Sequence, residues 1–220
     1  MAEHMSVGRK MSDQVSVCQD YRSSPVYDII KRGIDVVGAS SMLLVLSPVM
    51  ASVAFAVKVT SKGPIFYRQT RLTEGGRMFR LIKFRSMRAD AEQVSGVTFA
   101  ARRDPRVTAI GSFIRKTRLD ELPQLVNVLK GEMSLIGPRP ERPEIASALS
   151  TSIPKFRKRL QTRAGLTGLA QVVQGYPDGH RGYRRKVGLD VIYIRRKSLL
   201  LDAWIAVRTI SVVITGSGAR

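Results

Sequence analysis

Asp120 and Glu121 lie in the densest cluster of chemistry-bearing side chains in this chain of 220 residues. Arg115, Lys116 and Arg118 precede them within five residues, and Arg139 follows in the run Pro138-Arg139-Pro140. The prolines Pro138 and Pro140 hold the backbone extended on either side of Arg139, a structural turn that presents its guanidinium from a rigid support. Acids ringed by arginines suit a magnesium-assisted transfer of a phosphoryl or phosphosugar group, in which the arginines balance phosphate charge while a metal bridges its oxygens. In such chemistry Asp120 serves as a nucleophile or as a magnesium ligand. Taken in isolation, the same pair does no more than cap a helix. Lys83 and Arg85, in KFRSM, stand two residues apart and share a face of any regular strand, where they would form a second phosphate contact. A generic basic strand has the same pattern.

These groups need elements to hold them. Leu122, Leu125, Val126 and Leu129 recur at helical spacing, which predicts a helix running to about Lys130 and stopping at Gly131. Thr117 with Asp120 matches a capping box, but that start would bury Pro123 too deep in the helix. With Asp120 as the cap, Pro123 falls in the first turn, and the two acids sit at the positive end of the helix dipole. Upstream, apolar and basic residues alternate from Gly63 to Met87 around Gly75-Gly76, the pattern of a β-hairpin. Residues 88 to 103 are polar and read as loop or helix. The soluble part is therefore α+β, a mixed helix and short-strand domain over residues 59–215.

The basic run Lys155, Arg157, Lys158, Arg159 and Arg163, with Arg184, Arg185 and Lys186 later, reads as a lipid-facing or solvated surface. Leu200, Trp204 and Val207 form an apolar stripe on a C-terminal helix, suited either to a membrane interface or to a core. The formal net charge of +20 points to a polyanionic partner: nucleic acid, anionic lipid or a phosphorylated substrate. Neither a nucleic-acid-binding module nor aromatic residues interleaved with the basic run is present, which argues against nucleic acid. One cysteine, Cys18, and two histidines, His4 and His180, exclude an internal disulfide and disfavour a zinc or histidine-based metal centre.

Residues 1–25 are polar and aperiodic, as expected of a flexible tail. The membrane segment predicted over 26–58 contains residues 36–57, which carry no charge and as a helix would extend roughly 33 Å, enough to cross a bilayer. Ser47-Pro48 interrupts this run: Pro48 removes a backbone donor, and the Ser47 hydroxyl is placed to satisfy what is freed. The first 35 residues carry five basic and five acidic residues, against thirty-two and twelve from Lys58 onward. A spanning helix would leave the basic part in the cytoplasm and translocate Lys31 and Arg32. A helix broken at Ser47-Pro48 would instead enter and leave on one face, with Lys31, Arg32 and Lys58 at the headgroups.

Seven segments, in order, resemble the bacterial sugar transferase family, the monotopic phosphoglycosyl transferases. They are the Ser47-Pro48 membrane segment, KFRSM at 83–87, DPRVT at 104–108, LDELPQL at 119–125, GEMSLIGPRP at 131–140, GLTGLAQV at 165–172 and LDVIYI at 189–194. The resemblance implies a small monotopic enzyme on the cytoplasmic face of the bacterial inner membrane, with a re-entrant N-terminal helix and interfacial amphipathic helices. It implies transfer of a sugar 1-phosphate from a UDP-sugar to polyprenol (undecaprenyl) phosphate with release of UMP, an initiating step of exopolysaccharide or glycoconjugate synthesis. Asp120 is then the nucleophile that forms a covalent phosphosugar and a ligand of Mg2+, Glu121 is its dyad partner, and Arg115, Arg139 and Lys83 bind phosphate. Anionic lipids are expected partners, and a homo-oligomer is left open. The chain departs from the family's usual pattern at Ala164, Leu169, Val173 and Arg196. The competing reading is a non-catalytic, basic, membrane-associated scaffold.

Overall fold

A computed structural model describes residues 24–88, 90–91, 104–175, 177 and 179–215. Nearly all of the expected tail, and most of the polar stretch 88–103, lie outside these residues. The first element is a single α-helix, α1 (Pro25–Thr60), of 36 residues. It runs through Pro48 without interruption, so Ser47-Pro48 does not end the helix. The reason is local: Pro48 cannot donate to the Leu44 carbonyl, and the Ser47 hydroxyl donates to it instead at 2.8 Å. Only Asp35, Ala39, Val53 and Val57 of the helix are buried. A core helix would hide most of its apolar side chains, but Leu44 is 78% and Phe55 70% exposed. The outward face is thus an apolar surface suited to lipid, as the uncharged sequence predicts.

The alternating sequence forms the expected hairpin. Strands β1 (Phe66–Leu72) and β2 (Met78–Phe84) pair antiparallel, Phe66 opposite Phe84 and Leu72 opposite Met78, around a turn in which Gly75 and Gly76 have positive φ. The outer edge of β2 is covered by one side chain. Asn127, wholly buried, accepts from Ile82 N at 3.0 Å and donates to Arg80 O at 2.9 Å, and so replaces a missing strand. Replacing Asn127 with alanine strands both backbone groups. It is expected to cost about 2–4 kcal/mol, read as a lowered denaturant midpoint with m unchanged; an unmoved midpoint would contradict this role.

Next come α2 (Ala109–Lys116), a 3-10 turn (Leu119–Glu121) and the short helix α3 (Gln124–Leu129), which ends as predicted at Gly131, φ 76°. Strand β3 (Met133–Ile136) follows, then α4 (Pro143–Ser152), a 3-10 turn (Phe156–Gln161) and strand β4 (Ala164–Thr167), parallel to β3. Three helices close the chain: α5 (Leu169–Val173), α6 (Gly179–Arg196) and α7 (Leu199–Thr215). Among the described residues the architecture is the expected mixture of helices and short strands, with two two-stranded sheets.

Both ends of α1 are fastened to this body. Near its start, Tyr27 and Lys31 donate to Asp202 of α7 at 2.9 and 3.0 Å. Arg32 donates to Val128 O and Leu129 O, the last carbonyls of α3, at 2.7 and 2.8 Å. Asp35 accepts from Leu135 N at 2.9 Å. At the other end, Val53 and Val57 pack against Phe84 and Ile114. Arg85 donates there to Lys62 O at 2.6 Å and to Ser61 O at 2.9 Å.

Candidate active site

Asp120 and Glu121 are brought to one place by a strained corner. Arg118 is the one non-glycine with positive φ among the described residues (58°), which turns the chain from α2 into the 3-10 turn that carries both acids. The predicted cap is corrected here. Asp120 lies inside the 3-10 turn and Pro123 flanks α3, so the helix starts three residues later than a cap at Asp120 requires. Thr117 ends α2 instead of opening a capping box, and its hydroxyl donates to Phe113 O.

The two acids sit side by side in opposite states. Glu121 accepts both Nη1 and Nη2 of Arg139, at 3.0 and 2.5 Å, and Lys83 Nζ at 3.3 Å. Burial opposes its ionisation, but Arg139 and Lys83 outweigh that and hold its carboxyl far below the ordinary range. Asp120 is buried too, yet no hydrogen bond or ion pair satisfies its carboxylate among the described residues. Burial is the largest influence on it, pushing its carboxyl up to about 6. Lys83 pulls the other way, the charge of Glu121 adds to the rise, and Arg139 and Arg115 also draw it down. One carboxylate is paired with fixed cations while its neighbour has no hydrogen-bond or ion-pair partner among the described residues, an arrangement associated with functional sites.

Lys83 and Arg139 therefore converge on the acid pair through Glu121. Arg115 lies near enough to act on Asp120 electrostatically. Arg85 does not join them. Strand β2 ends at Phe84, so the alternation that would put Arg85 beside Lys83 is lost, and its guanidinium grips the carbonyls after α1. Its expected phosphate contact is replaced by an anchoring role.

Arg139 is held by a backbone cross-over. Gly137 N donates to Thr167 O at 2.8 Å and Gly165 N to Pro138 O at 2.9 Å. A Cβ on Gly165 would lie 2.1 Å from Gly137 N, so only glycine allows this approach. The next three carbonyls are also satisfied: Arg139 O by Arg159 at 2.8 Å, Pro140 O by Arg71 at 3.0 Å and Glu141 O by Leu72 N at 3.0 Å. The rigidity expected of Pro138 and Pro140 is thus reinforced from three sides.

Arg159 corrects the reading of the basic run as surface. It is buried, with Nε 2.6 Å from Asp190 Oδ2, while Lys186 is buried against Glu141. Lys155, Arg184 and Arg185 remain exposed. Lys186 shares the inward face of α6 with Val187, Asp190 and Val191, a pattern that a count of charges does not reveal. Asn127 is hidden for a similar reason: it is one of two amides, with Gln124, on the buried face of α3.

The C-terminal stripe faces outward. Leu200, Trp204 and Val207 are exposed, Asp202 and Ile205 buried, and Arg208 lies 5.7 Å from the Trp204 ring. Among the departing positions, Ala164 and Leu169 are buried, while Val173 and Arg196 are exposed. No cluster of three or more metal-ligating side chains is present among the described residues.

The model of the family described as bacterial sugar transferase matches residues 26–216. The chain is 46% identical over 197 residues to the UDP-N-acetylgalactosamine-undecaprenyl-phosphate N-acetylgalactosaminephosphotransferase of Aeromonas hydrophila, covering 90% of this chain and 46% of that protein. It is 40% identical over 194 residues to a UDP-glucose:undecaprenyl-phosphate glucose-1-phosphate transferase of Caulobacter vibrioides, covering 87% and 72%. It is 37% identical over 187 residues to the exopolysaccharide production protein PSS of Rhizobium leguminosarum bv. phaseoli, covering 83% and 94%. The chain thus spans about half the length of the first relative and most of the other two.

Proposed function

The chain belongs to the bacterial sugar transferase family, and from that premise we propose that it transfers a sugar 1-phosphate from a UDP-sugar to polyprenol phosphate, with Asp120 as the nucleophile. The observation that carries this reading is the buried, unpartnered Asp120 carboxylate beside a fully paired Glu121. An Asp120 oxygen attacks the β-phosphorus, and the bond from that phosphorus to the oxygen bridging to the α-phosphate breaks. UMP leaves with that oxygen. An oxygen of the polyprenol phosphate then attacks the same phosphorus, freeing the Asp120 carboxylate and forming a sugar diphosphate lipid. Glu121 keeps Arg139 and Lys83 in place next to the nucleophile, where their positive charge, with that of Arg115, balances the phosphate.

The donor set suits magnesium, which takes one or two carboxylates and completes its shell with phosphate and water. Asp120 would hold it, and the metal would supply charge neutralisation on the phosphate oxygens.

For placement, we propose the cytoplasmic face of the bacterial inner membrane, with α1 entering and leaving on that face by a bend at Ser47-Pro48 that leaves the helix continuous. The support is that one polar body grips the helix from Tyr27 to Asp35 and again beyond Val53. A transbilayer helix would separate those two regions by about the 30 Å of the hydrocarbon core. The outward apolar faces of α1 and α7, with Trp204 and Arg208, suit burial at the interface, where the basic surface attracts anionic lipid. A cysteine introduced at Ser24 should react with an impermeant maleimide only from the cytoplasmic side; labelling from the periplasmic side would restore a spanning helix.

The activity is tested by UMP release from a panel of UDP-sugars with undecaprenyl phosphate and magnesium; the scaffold alternative predicts none. The pH profile follows from the raised carboxyl. A carboxyl pushed up to about 6 is protonated and non-nucleophilic below that value. In the free enzyme kcat/KM should fall about tenfold per pH unit below pH 6 and level off above it. A flat profile between pH 5 and 8 would contradict Asp120 as the titrating nucleophile.

A further inference from the structure

The segment LDVIYI at 189–194 lies within α6, and the reaction described so far gives it no role. Its one charged residue, Asp190, is buried and accepts from Arg159 Nε at 2.6 Å. Arg159 Nη2 in turn donates to Arg139 O at 2.8 Å, and Arg139 places both of its Nη atoms on Glu121. A continuous series of contacts therefore runs from α6 to the acid pair. Its middle member is fixed on its other sides as well. The Arg159 guanidinium carbon lies 5.0 Å from the centre of the Phe156 ring, and Nη1 lies 3.9 Å from Glu141 Oε1.

Stability is a poor reason for burying this ion pair. Both charges lose their hydration, their attraction only about offsets that loss, and an apolar pair of similar size would hold α6 in place as well. An apolar pair cannot, however, fix a backbone carbonyl. Arg159 donates to the carbonyl of the residue whose side chain grips Glu121, and Asp190 sets the direction in which that donor points. Resting on the reaction proposed above, we infer that Asp190 is a positioning residue: through Arg159 it holds the backbone of Arg139, and so sets where the Arg139 guanidinium meets Glu121 and the phosphate charge beside Asp120. Displacing a charge from its productive place weakens the transition state, so the loss falls on kcat.

The test measures UMP release by the full chain in nanodiscs for Asp190→Ala, Arg139→Ala and the two combined. Asp190→Ala is expected to lower kcat about 10²-fold, the scale of a displacement of about 1 Å, with KM for the UDP-sugar held within about twofold. Added to Arg139→Ala it should lower kcat no further, because its whole effect passes through that side chain. Ile205→Ala, which removes buried apolar contacts of α7, should lower Tm and leave kcat unchanged, and so separates lost positioning from lost stability. If Asp190→Ala does not fold, Asp190→Leu with Arg159→Met removes both charges together and should show the same loss of kcat. An unchanged kcat, or an equal further loss in the Arg139→Ala background, would overturn the inference. One readout needs no turnover. The guanidinium nitrogen resonances of Arg139, identified by their absence from Arg139→Lys, should shift in Asp190→Ala and stay in place in Ile205→Ala. Resonances unmoved in Asp190→Ala would also overturn it. Resonances that shift in a protein that releases no UMP from any UDP-sugar would refute the proposed reaction and leave the link from Asp190 to Arg139 standing.

Discussion

Asp120→Asn is expected to abolish turnover and, at neutral pH, to make the protein more stable. Asparagine has the shape of aspartate but cannot form the acyl phosphate, so UMP release should fall about 10⁴-fold or more, on the scale seen when an enzyme loses its nucleophile. The stability effect has the opposite sign. Burial raises the Asp120 carboxyl from 3.8 to about 6 in the folded protein. A carboxyl raised above its unfolded value costs nothing below that unfolded value, and its penalty sets in as pH rises towards the folded value. Well above pH 6 the ionised group opposes folding by about 3 kcal/mol, and removing the charge returns that amount as a higher Tm. A scaffold has no reason to keep such a group. Unchanged UMP release would remove Asp120 from the reaction, and a lowered Tm would show that its carboxylate is an ordinary structural partner.

Arg139→Ala carries the second large effect. It removes two charge-assisted hydrogen bonds from Glu121 and leaves that buried carboxylate with Lys83. Loss of one preorganised cation at a phosphate site costs about 10²–10³-fold in kcat. Leaving Glu121 half-compensated should cost about 3 kcal/mol in stability. Arg139→Lys should recover little of either, because an ammonium cannot reproduce the two-pronged contact. Full activity in Arg139→Lys would show that charge alone is required. The contrast between the two positions is informative, since Asp120→Asn loses activity with a gain in Tm and Arg139→Ala loses both.

Much of this site can be read along the chain, and the parts that cannot have identifiable causes. The hairpin is carried by alternation and by Gly75-Gly76, and the end of α3 by Gly131. The corner at Arg118 is not legible, because its left-handed backbone is imposed by packing on a residue with no preference for it. That one residue moved the start of α3 and turned an expected helix cap into a buried acid pair. Arg85 was misplaced because strand β2 ends one residue too early for the two-residue alternation to reach it. Ser47-Pro48 was identified with its hydrogen-bonding remedy, but that remedy keeps the helix intact through Pro48.

Burial separates residues that look alike as letters. Arg159 and Lys186 belong to a basic run, yet they are the two that turn inward, and Arg159 supports the carbonyl of Arg139. The parallel pairing of β3 with β4 is only a few residues long and depends on glycines meeting across 28 positions of sequence, Gly137 with Gly165. No periodicity announces such a contact. It nevertheless fixes the turn from which Arg139 reaches Glu121.

The claim on which the rest depends is that Asp120 carries the sugar phosphate covalently. It is tested most directly by incubating the purified protein with magnesium and a UDP-sugar it accepts, without lipid acceptor, and measuring intact and peptide mass. The account predicts one equivalent of UMP per protein and a mass increase equal to one phosphosugar, localised to Asp120 and lost on adding undecaprenyl phosphate. Product formation with no adduct at Asp120, or a single displacement that needs both substrates before any UMP appears, would contradict it.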